Sequence, residues 1–432
     1  MSALQRRAFL LHAAWAASAG SAPRRAWSRS PTLGHNPFAL GVASGEPAPD
    51  GLVLWTRLLA EPGQQQTPYS VRWELAHDSR FARIVQRGQA PALPQLGHGV
   101  HVQLHGLAPE RWYHYRFMLG DAVSATGRTR TAPAPGMLPA ALRLAFASCQ
   151  RWEHGHYAAW RHLAADQPDL VSRHRSSVCL RWPSKRIAAL HRLPIRSVLA
   201  ARCALRCAPM AARSLRHLIR DATLVLFLGD YIYESASPRE RAGLARPDRL
   251  HRATTLADFR DRYALYKSDP ALQAAHACCP WAVTWDDHEV QNDYAADAGR
   301  EPASRFAALR SAAWQAFYEN MPLRAASLLG PPADPRRDAL QIYRRLRWGR
   351  LAHIHLLDSR QYRSWQACRP AQSASAPAVR AADCAALNQP ARTLLGAAQE
   401  RWLEAGLAAD ARAKDATRWS VLAQQTLFTP RH

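Results

Sequence analysis

Between residues 34 and 133 apolar and polar positions alternate in short runs. Tyr69-Ser70-Val71-Arg72-Trp73-Glu74-Leu75 alternates with a period of two, and so does His101-Val102-Gln103-Leu104-His105. That period turns one face of a strand inward. Leu52-Val53-Leu54-Trp55 follows the turn Pro49-Asp50-Gly51, and Tyr113-His114-Tyr115-Arg116-Phe117 follows a turn at Ala108-Pro109. Short strands separated by turn signals predict an all-β sandwich of the fibronectin or immunoglobulin type over 34–133. No Cys lies there, so an inter-sheet disulfide is excluded. The Pro/Ala/Gly-rich run 131–139 reads as a linker.

From residue 140 the pattern changes. Leu142-Arg143-Leu144-Ala145-Phe146-Ala147, Leu224-Val225-Leu226-Phe227-Leu228, Trp281-Ala282-Val283-Thr284-Trp285 and Leu351-Ala352-His353-Ile354-His355-Leu356-Leu357 read as buried strands. Helical patterns lie between and after them, at about 156–165, 256–267, 303–319 and 399–407. Strands interleaved with helices predict an α/β layered domain over 140–432. Such folds bind ligands at the carboxyl ends of their strands.

The four apolar runs end in Cys149, Asp230, Asp287-His288 and Asp358. An Asp after a strand commonly caps a turn or a helix. Its recurrence at several strand ends is what points to a site. Hard cations need carboxylate oxygens, and a two-metal centre needs a carboxylate shared between the ions. Gly229 permits a sharp turn before Asp230, and Tyr233 could add a phenolate oxygen. Oxygen ligands with one thiolate suit a ferric ion better than zinc.

The chain has 432 residues, 48% of them hydrophobic, which excludes wholesale disorder. No run approaches the ~20 apolar residues of a membrane span, which excludes a multi-pass protein. The formal net charge is +24. Its distribution argues against a specific nucleic-acid partner. Residues 1–30 hold five Arg and no acid, and residues 172–220 hold eleven Arg, Lys185 and no acid. Two short segments therefore carry most of the excess, and the rest is mildly basic. Arg6-Arg7-Ala8-Phe9-Leu10-Leu11 leads an apolar stretch that ends in small residues at Ala19-Gly20-Ser21-Ala22. This resembles a twin-arginine signal peptide over 1–22, read by the twin-arginine export machinery. The expected destination is the periplasm or the exterior. Of the eight Cys, Cys368 and Cys384 flank a polar Ala/Ser-rich loop that they could staple.

Several motifs, in order, resemble those of PhoD-type alkaline phosphatases within the metallophosphoesterase group. They begin with Asn36-Pro37-Phe38-Ala39-Leu40-Gly41-Val42-Ala43-Ser44-Gly45-Glu46-Pro47. Ala147-Ser148-Cys149-Gln150, Leu228-Gly229-Asp230-Tyr231-Ile232-Tyr233-Glu234 and Tyr263-Ala264-Leu265-Tyr266-Lys267-Ser268-Asp269-Pro270 follow. Thr284-Trp285-Asp286-Asp287-His288-Glu289-Val290 and Leu357-Asp358-Ser359-Arg360-Gln361-Tyr362-Arg363 complete them. The resemblance implies a metallophosphoesterase-like catalytic domain that hydrolyses phosphate mono- or diesters with ferric iron and calcium. It assigns Cys149, Asp230 and Tyr233 to iron, with Asp230 bridging to a second metal. Asp287 becomes a further metal ligand. His288 would sit beside the phosphate, and Arg360 would help to bind it.

Two departures from that family are visible. Residues 172–225 match nothing in it, contain Asp221 as their only acid, and read as an Arg-rich insertion. Joining Val171 to Leu226 would restore a family-like strand; alternatively Leu224 and Val225 replace the lost start. The family's later Gly-Asp-x-His motif, which supplies more metal ligands, has no counterpart before the chain stops at His432. The expectation is an incomplete second metal site. Two rivals to an active phosphohydrolase remain: a catalytically impaired remnant, and a non-enzymatic polyanion binder acting through the Arg-rich segment.

Overall fold

The computed structural model describes residues 34–60, 63–165, 222–237, 243–325, 341–373, 379–412 and 417–426. The signal-like segment 1–22, most of the Arg-rich segment, Cys179, Cys203, Cys207 and His432 lie outside them.

β1 (Val42–Ala48) and β2 (Gly51–Arg57) pair antiparallel around the Pro49-Asp50 turn. β3 (Tyr69–Ala76), β4 (Ile84–Ala92), β5 (Gly99–Leu104), β6 (Trp112–Leu119), β7 (Ala122–Val123) and β8 (Gly127–Arg130) follow. β4, β3, β6 and β7 form one sheet in that order, with β8 also on β6. Leu52 and Leu54 of β2, Val71, Trp73 and Leu75 of β3, Val100 and Val102 of β5, and Tyr113, Tyr115 and Phe117 of β6 share one buried core. The period-two residues are the ones that face it, as the alternation requires.

β2 and β5 do not stop at that core. β9 (Leu144–Ala147), β10 (Leu224–Phe227) and β11 (Trp281–Val283) are parallel, and β11 lies parallel to β1 through Gly45 and Trp281. One six-stranded sheet thus runs β5-β2-β1-β11-β10-β9. The sequence suggested a β sandwich followed by a separate layered domain. Instead, strands from the first half continue the sheet of the second. The approach of β1 to β11 needs glycine at 45, where a Cβ would meet the Pro322 carbonyl oxygen at 2.5 Å.

β10 begins at Leu224, fully buried and in register with Leu144. Leu224 and Val225 therefore form the start of the strand that leads to Asp230. α1 (Ala158–Ala165), α2 (Leu256–Lys267), α3 (Pro270–Cys278) and α4 (Ala303–Asn320) pack around a core built on Val225, Phe227, Trp281 and Val283. A second sheet joins β12 (Arg344–Trp348), β13 (Ala352–Leu356) and β14 (Trp419–Ala423), with α5 (Ala397–Arg412) before β14. Ile354 and Leu356 of β13 meet Leu224, Leu226 and Ala282 of the first sheet. The result is a layered mixed α/β architecture with a β-rich amino-terminal half. A disulfide joins Cys368 to Cys384, as their flanking positions suggested.

Candidate active site

The site is assembled where β9, β10 and β11 end. Gly229 leaves β10 with φ +100°, and a Cβ there would meet the Asp286 amide nitrogen at 2.3 Å. Glycine lets the exits of β10 and β11 approach this closely. Asp230 and Cys149 then take the left-handed region, with φ 56° and 58°. The Cys149 N–H donates to the Gly229 carbonyl (3.2 Å) and the Gln150 N–H to the Asp230 carbonyl (3.1 Å). Those bonds bring the two side chains within hydrogen-bonding reach of each other.

Glu289 locks the turns together from below. Its buried carboxylate accepts from the N–H groups of Asp230 (3.0 Å), Tyr231 (2.6 Å) and Asp286 (2.9 Å). Glu234 does the same for the imidazole. It sits 2.6 Å from His288 Nδ1 and accepts from the Asn292 N–H at 3.0 Å. With Nδ1 engaged, Nε2 is the ring nitrogen left for other chemistry. The Tyr233 hydroxyl donates to Asp230 Oδ2 at 3.1 Å, and its ring lies 4.1 Å from the His288 ring.

Asp230, Asp287 and His288 each offer one donor atom within 4.8 Å of the other two. Charge is crowded here. Burial, then the Asp287 and Asp286 charges, push the Asp230 carboxyl up to about 7. Burial raises Asp286 as well, against the pull of Arg360. Burial opposes ionisation of Asp287, but Arg360 and His288 outweigh it and hold that carboxyl low. Burial also opposes the His288 charge, yet Glu234, Asp287 and Asp230 carry its pKa up to about 9. The Cys149 thiol is pushed up to about 11 by burial and by Asp230. Burial, Asp230 and Cys149 all keep the Tyr233 phenol protonated.

Five of the residues singled out in the sequence, Cys149, Asp230, Tyr233, Asp287 and His288, meet here. Arg360 is present in a different posture. Its Nε donates to Asp286 Oδ1 (2.5 Å), while Nη2 lies 3.5 Å from Asp287 Oδ2 and Nη1 3.8 Å from Asp293 Oδ1. It braces the acids. Asp358 takes no part in the cluster, because its buried carboxylate accepts from the Arg360 and Gln361 N–H groups at 2.9 and 3.0 Å. At the fourth strand the commonplace role of turn capping wins. Sequence reasoning gave no role to Glu234, Glu289 or Asp286. The run of acids around His288 was the signal for Asp286 and Glu289, and the Leu228–Glu234 motif was the signal for Glu234.

Buried carboxylates and an imidazole at the ends of parallel strands, with the Cys149 thiol alongside, make a candidate cation site in a layered α/β protein. The chain belongs to the PhoD-like phosphatase family. The model of the PhoD-like phosphatase matches residues 209–432, and that of the PhoD-like phosphatase N-terminal domain matches residues 22–133. The chain is 38% identical over 408 residues to alkaline phosphatase D of Bacillus subtilis (strain 168), covering 92% of this chain and 57% of that protein. A solved structure described as that of PhoD aligns with a TM-score of 0.70 at 37% identity, covering 93% of this chain and 64% of the other. The chain thus spans less than two thirds of the length of each relative.

Proposed function

We propose that the chain is an exported metal-dependent phosphohydrolase acting on phosphate mono- or diesters. The observation that carries this reading is the Asp230–Asp287–His288 cluster at the strand ends of a PhoD-like phosphatase chain. The fold proposed with it is a metallophosphoesterase-like catalytic layer completed by a fibronectin-like amino-terminal sandwich. Export by the twin-arginine machinery rests on residues 1–22 alone.

The residues fit a cation. Asp230 is buried among like charges that hold its carboxyl far above the ordinary range, and a positive ion would relieve that repulsion. Cys149, Asp230, Tyr233 and Asp287 would hold it, and their oxygen-plus-thiol donor set suits ferric iron, with calcium on the carboxylate side. Bound metal would neutralise phosphoryl oxygens and acidify a water molecule to serve as nucleophile.

The chain's own residues do the rest. Glu234, 2.6 Å from Nδ1, orients the His288 ring and leaves Nε2 facing the site. His288 Nε2 then stabilises phosphoryl charge and gives a proton to the leaving oxygen. Glu289 holds the Asp230 and Asp286 turns at a fixed separation. Arg360 positions Asp286 and Asp287 and would help to bind the phosphate.

The test is hydrolysis of p-nitrophenyl phosphate and bis-p-nitrophenyl phosphate by the mature chain supplied with ferric and calcium ions. Turnover that disappears in Asp230→Ala supports the reading. Soluble, folded protein with neither turnover nor bound iron would show instead the catalytically impaired relative.

A further inference from the structure

β13 carries a second group of metal-ligating side chains that the candidate active site does not use. Its alternate residues Ile354 and Leu356 fill the core between the sheets. His353 and His355 therefore stand on the opposite face, where α5 crosses. Asp410 in the last turn of α5 reaches both rings. His353 Nδ1 lies 2.8 Å from Asp410 Oδ1 and 3.0 Å from Oδ2, and His355 Nε2 lies 3.4 Å from Oδ2. The two imidazoles are 4.8 Å apart. Ser420 on the adjacent β14 places its hydroxyl 3.5 Å from the same carboxylate.

An ordinary Asp–His pair explains only half of this. His353 is satisfied by Asp410, but His355 is fully buried and its Nε2 makes only the long 3.4 Å contact to Asp410 Oδ2, short of a well-formed hydrogen bond. A buried nitrogen so weakly paired is costly unless something completes it. One donor atom from each of the three residues falls within 4.8 Å of the others. We propose that His353, His355 and Asp410 form a second cation site, for a divalent transition ion of the zinc type, that clamps α5 onto β13.

The donor set selects that class. Two imidazole nitrogens and one carboxylate oxygen match three-ligand zinc sites with one open position, whereas calcium and magnesium take oxygen donors. Arg345 is the opposing group. Its Nε donates to His355 Nδ1 at 3.3 Å, which favours a proton on Nε2, and its charge repels a cation. The guanidinium is anchored by the Trp402 carbonyl and packs 4.0 Å from the Trp402 ring.

The experiment uses full-length chain carrying Asp230→Asn, so that the active-site cluster is disabled. Chelator-stripped protein is titrated with cobalt, read by its visible d–d absorption, and then with zinc, read by calorimetry. We expect a tetrahedral cobalt spectrum that zinc bleaches. Adding His355→Ala should remove the spectrum and weaken zinc by more than the ~10–100-fold typical of a residue that merely supports a ligand. Equal zinc affinity with and without His355 overturns the site. Arg345→Met keeps all three ligands and guards against a folding artefact; it should tighten zinc binding, and weaker binding there would also overturn the proposal.

Discussion

Glu234 determines what His288 can do. The pair is 2.6 Å apart, and the imidazole is carried from an ordinary 6.5 to about 9 despite burial. A folded pKa above the unfolded one adds stability that is complete below pH 6.5 and lost as pH rises through about 9. In chelated protein, Glu234→Gln should return the His288 titration towards neutrality and remove that alkaline loss. Proton NMR of the imidazole reports the first effect and urea midpoints against pH report the second. Gly229 is a separate constraint, since a methyl group there meets the Asp286 amide in a left-handed backbone. Gly229→Ala should cost at least ~2 kcal/mol by urea unfolding. Asp230, His288 and Cys149 were legible in the sequence because each ends an apolar run. Glu289 was not, because its partners are the N–H groups of Asp230 and Tyr231, 59 and 58 residues away, as well as Asp286 close by. The bracing of Asp286 and Asp287 by Arg360 was not legible for a related reason: one sequence does not show which acids lie beside it.

Among the elements, those with a clean period were legible and those without were not. β3 and β6 alternate and were found. β4 was not, because its residues from Ile84 onward are mostly part-exposed and show no clean alternation. α3 was missed although its start is written in the chain. Asp269 caps the Ala271 and Leu272 N–H groups and Pro270 takes the first turn. β2 is apolar from Leu52 to Trp55 because both its faces are buried, one by the sandwich core and the other under α4. That second face explains His101 on neighbouring β5. Its Nε2 lies 3.0 Å from the Tyr318 carbonyl and 2.9 Å from that of Met321, and burial holds its pKa down to about 4. Here the sign reverses. Stability is complete above pH 6.5 and falls as the pH drops towards 4, by about 3 kcal/mol for a shift of this size. His101→Gln keeps a donor and cannot titrate, so its urea midpoint should fall less over that range. The Cys368–Cys384 bridge closes a 16-residue separation. Removing it with Cys384→Ser should cost about 3 kcal/mol on the chain-entropy scale, read as a lower melting temperature.

At the scale of the whole molecule, the two halves are joined by more than a linker. Trp55 Nε1 donates to the Glu319 carbonyl at 2.9 Å, and Arg57 donates to Asn320 Oδ1 at 3.1 Å. Arg344 grips Glu46 on β1 through Nε and Nη2, and Nη2 also donates to the Val283 carbonyl on β11 at 2.9 Å. The change of pattern near residue 140 reads as a domain boundary because local periodicity carries no information about which strands become neighbours. Sheet order is a tertiary fact, decided here by Gly45 against Trp281. Several of these polar groups are buried, and cutting the chain would strand them without partners at ~1–3 kcal/mol each. We therefore expect the described halves to unfold together. Near-ultraviolet signals from Trp73 in the sandwich core and Trp285 beside α4 can be separated by conservative Phe substitutions at each. Both should report the same urea midpoint, and a fragment beginning at residue 134 should be insoluble when made alone. Two resolved transitions, or a soluble folded fragment, would show that the six-stranded sheet is a contact between independent domains, and the active-site turns would then owe their position to β9, β10 and β11 alone.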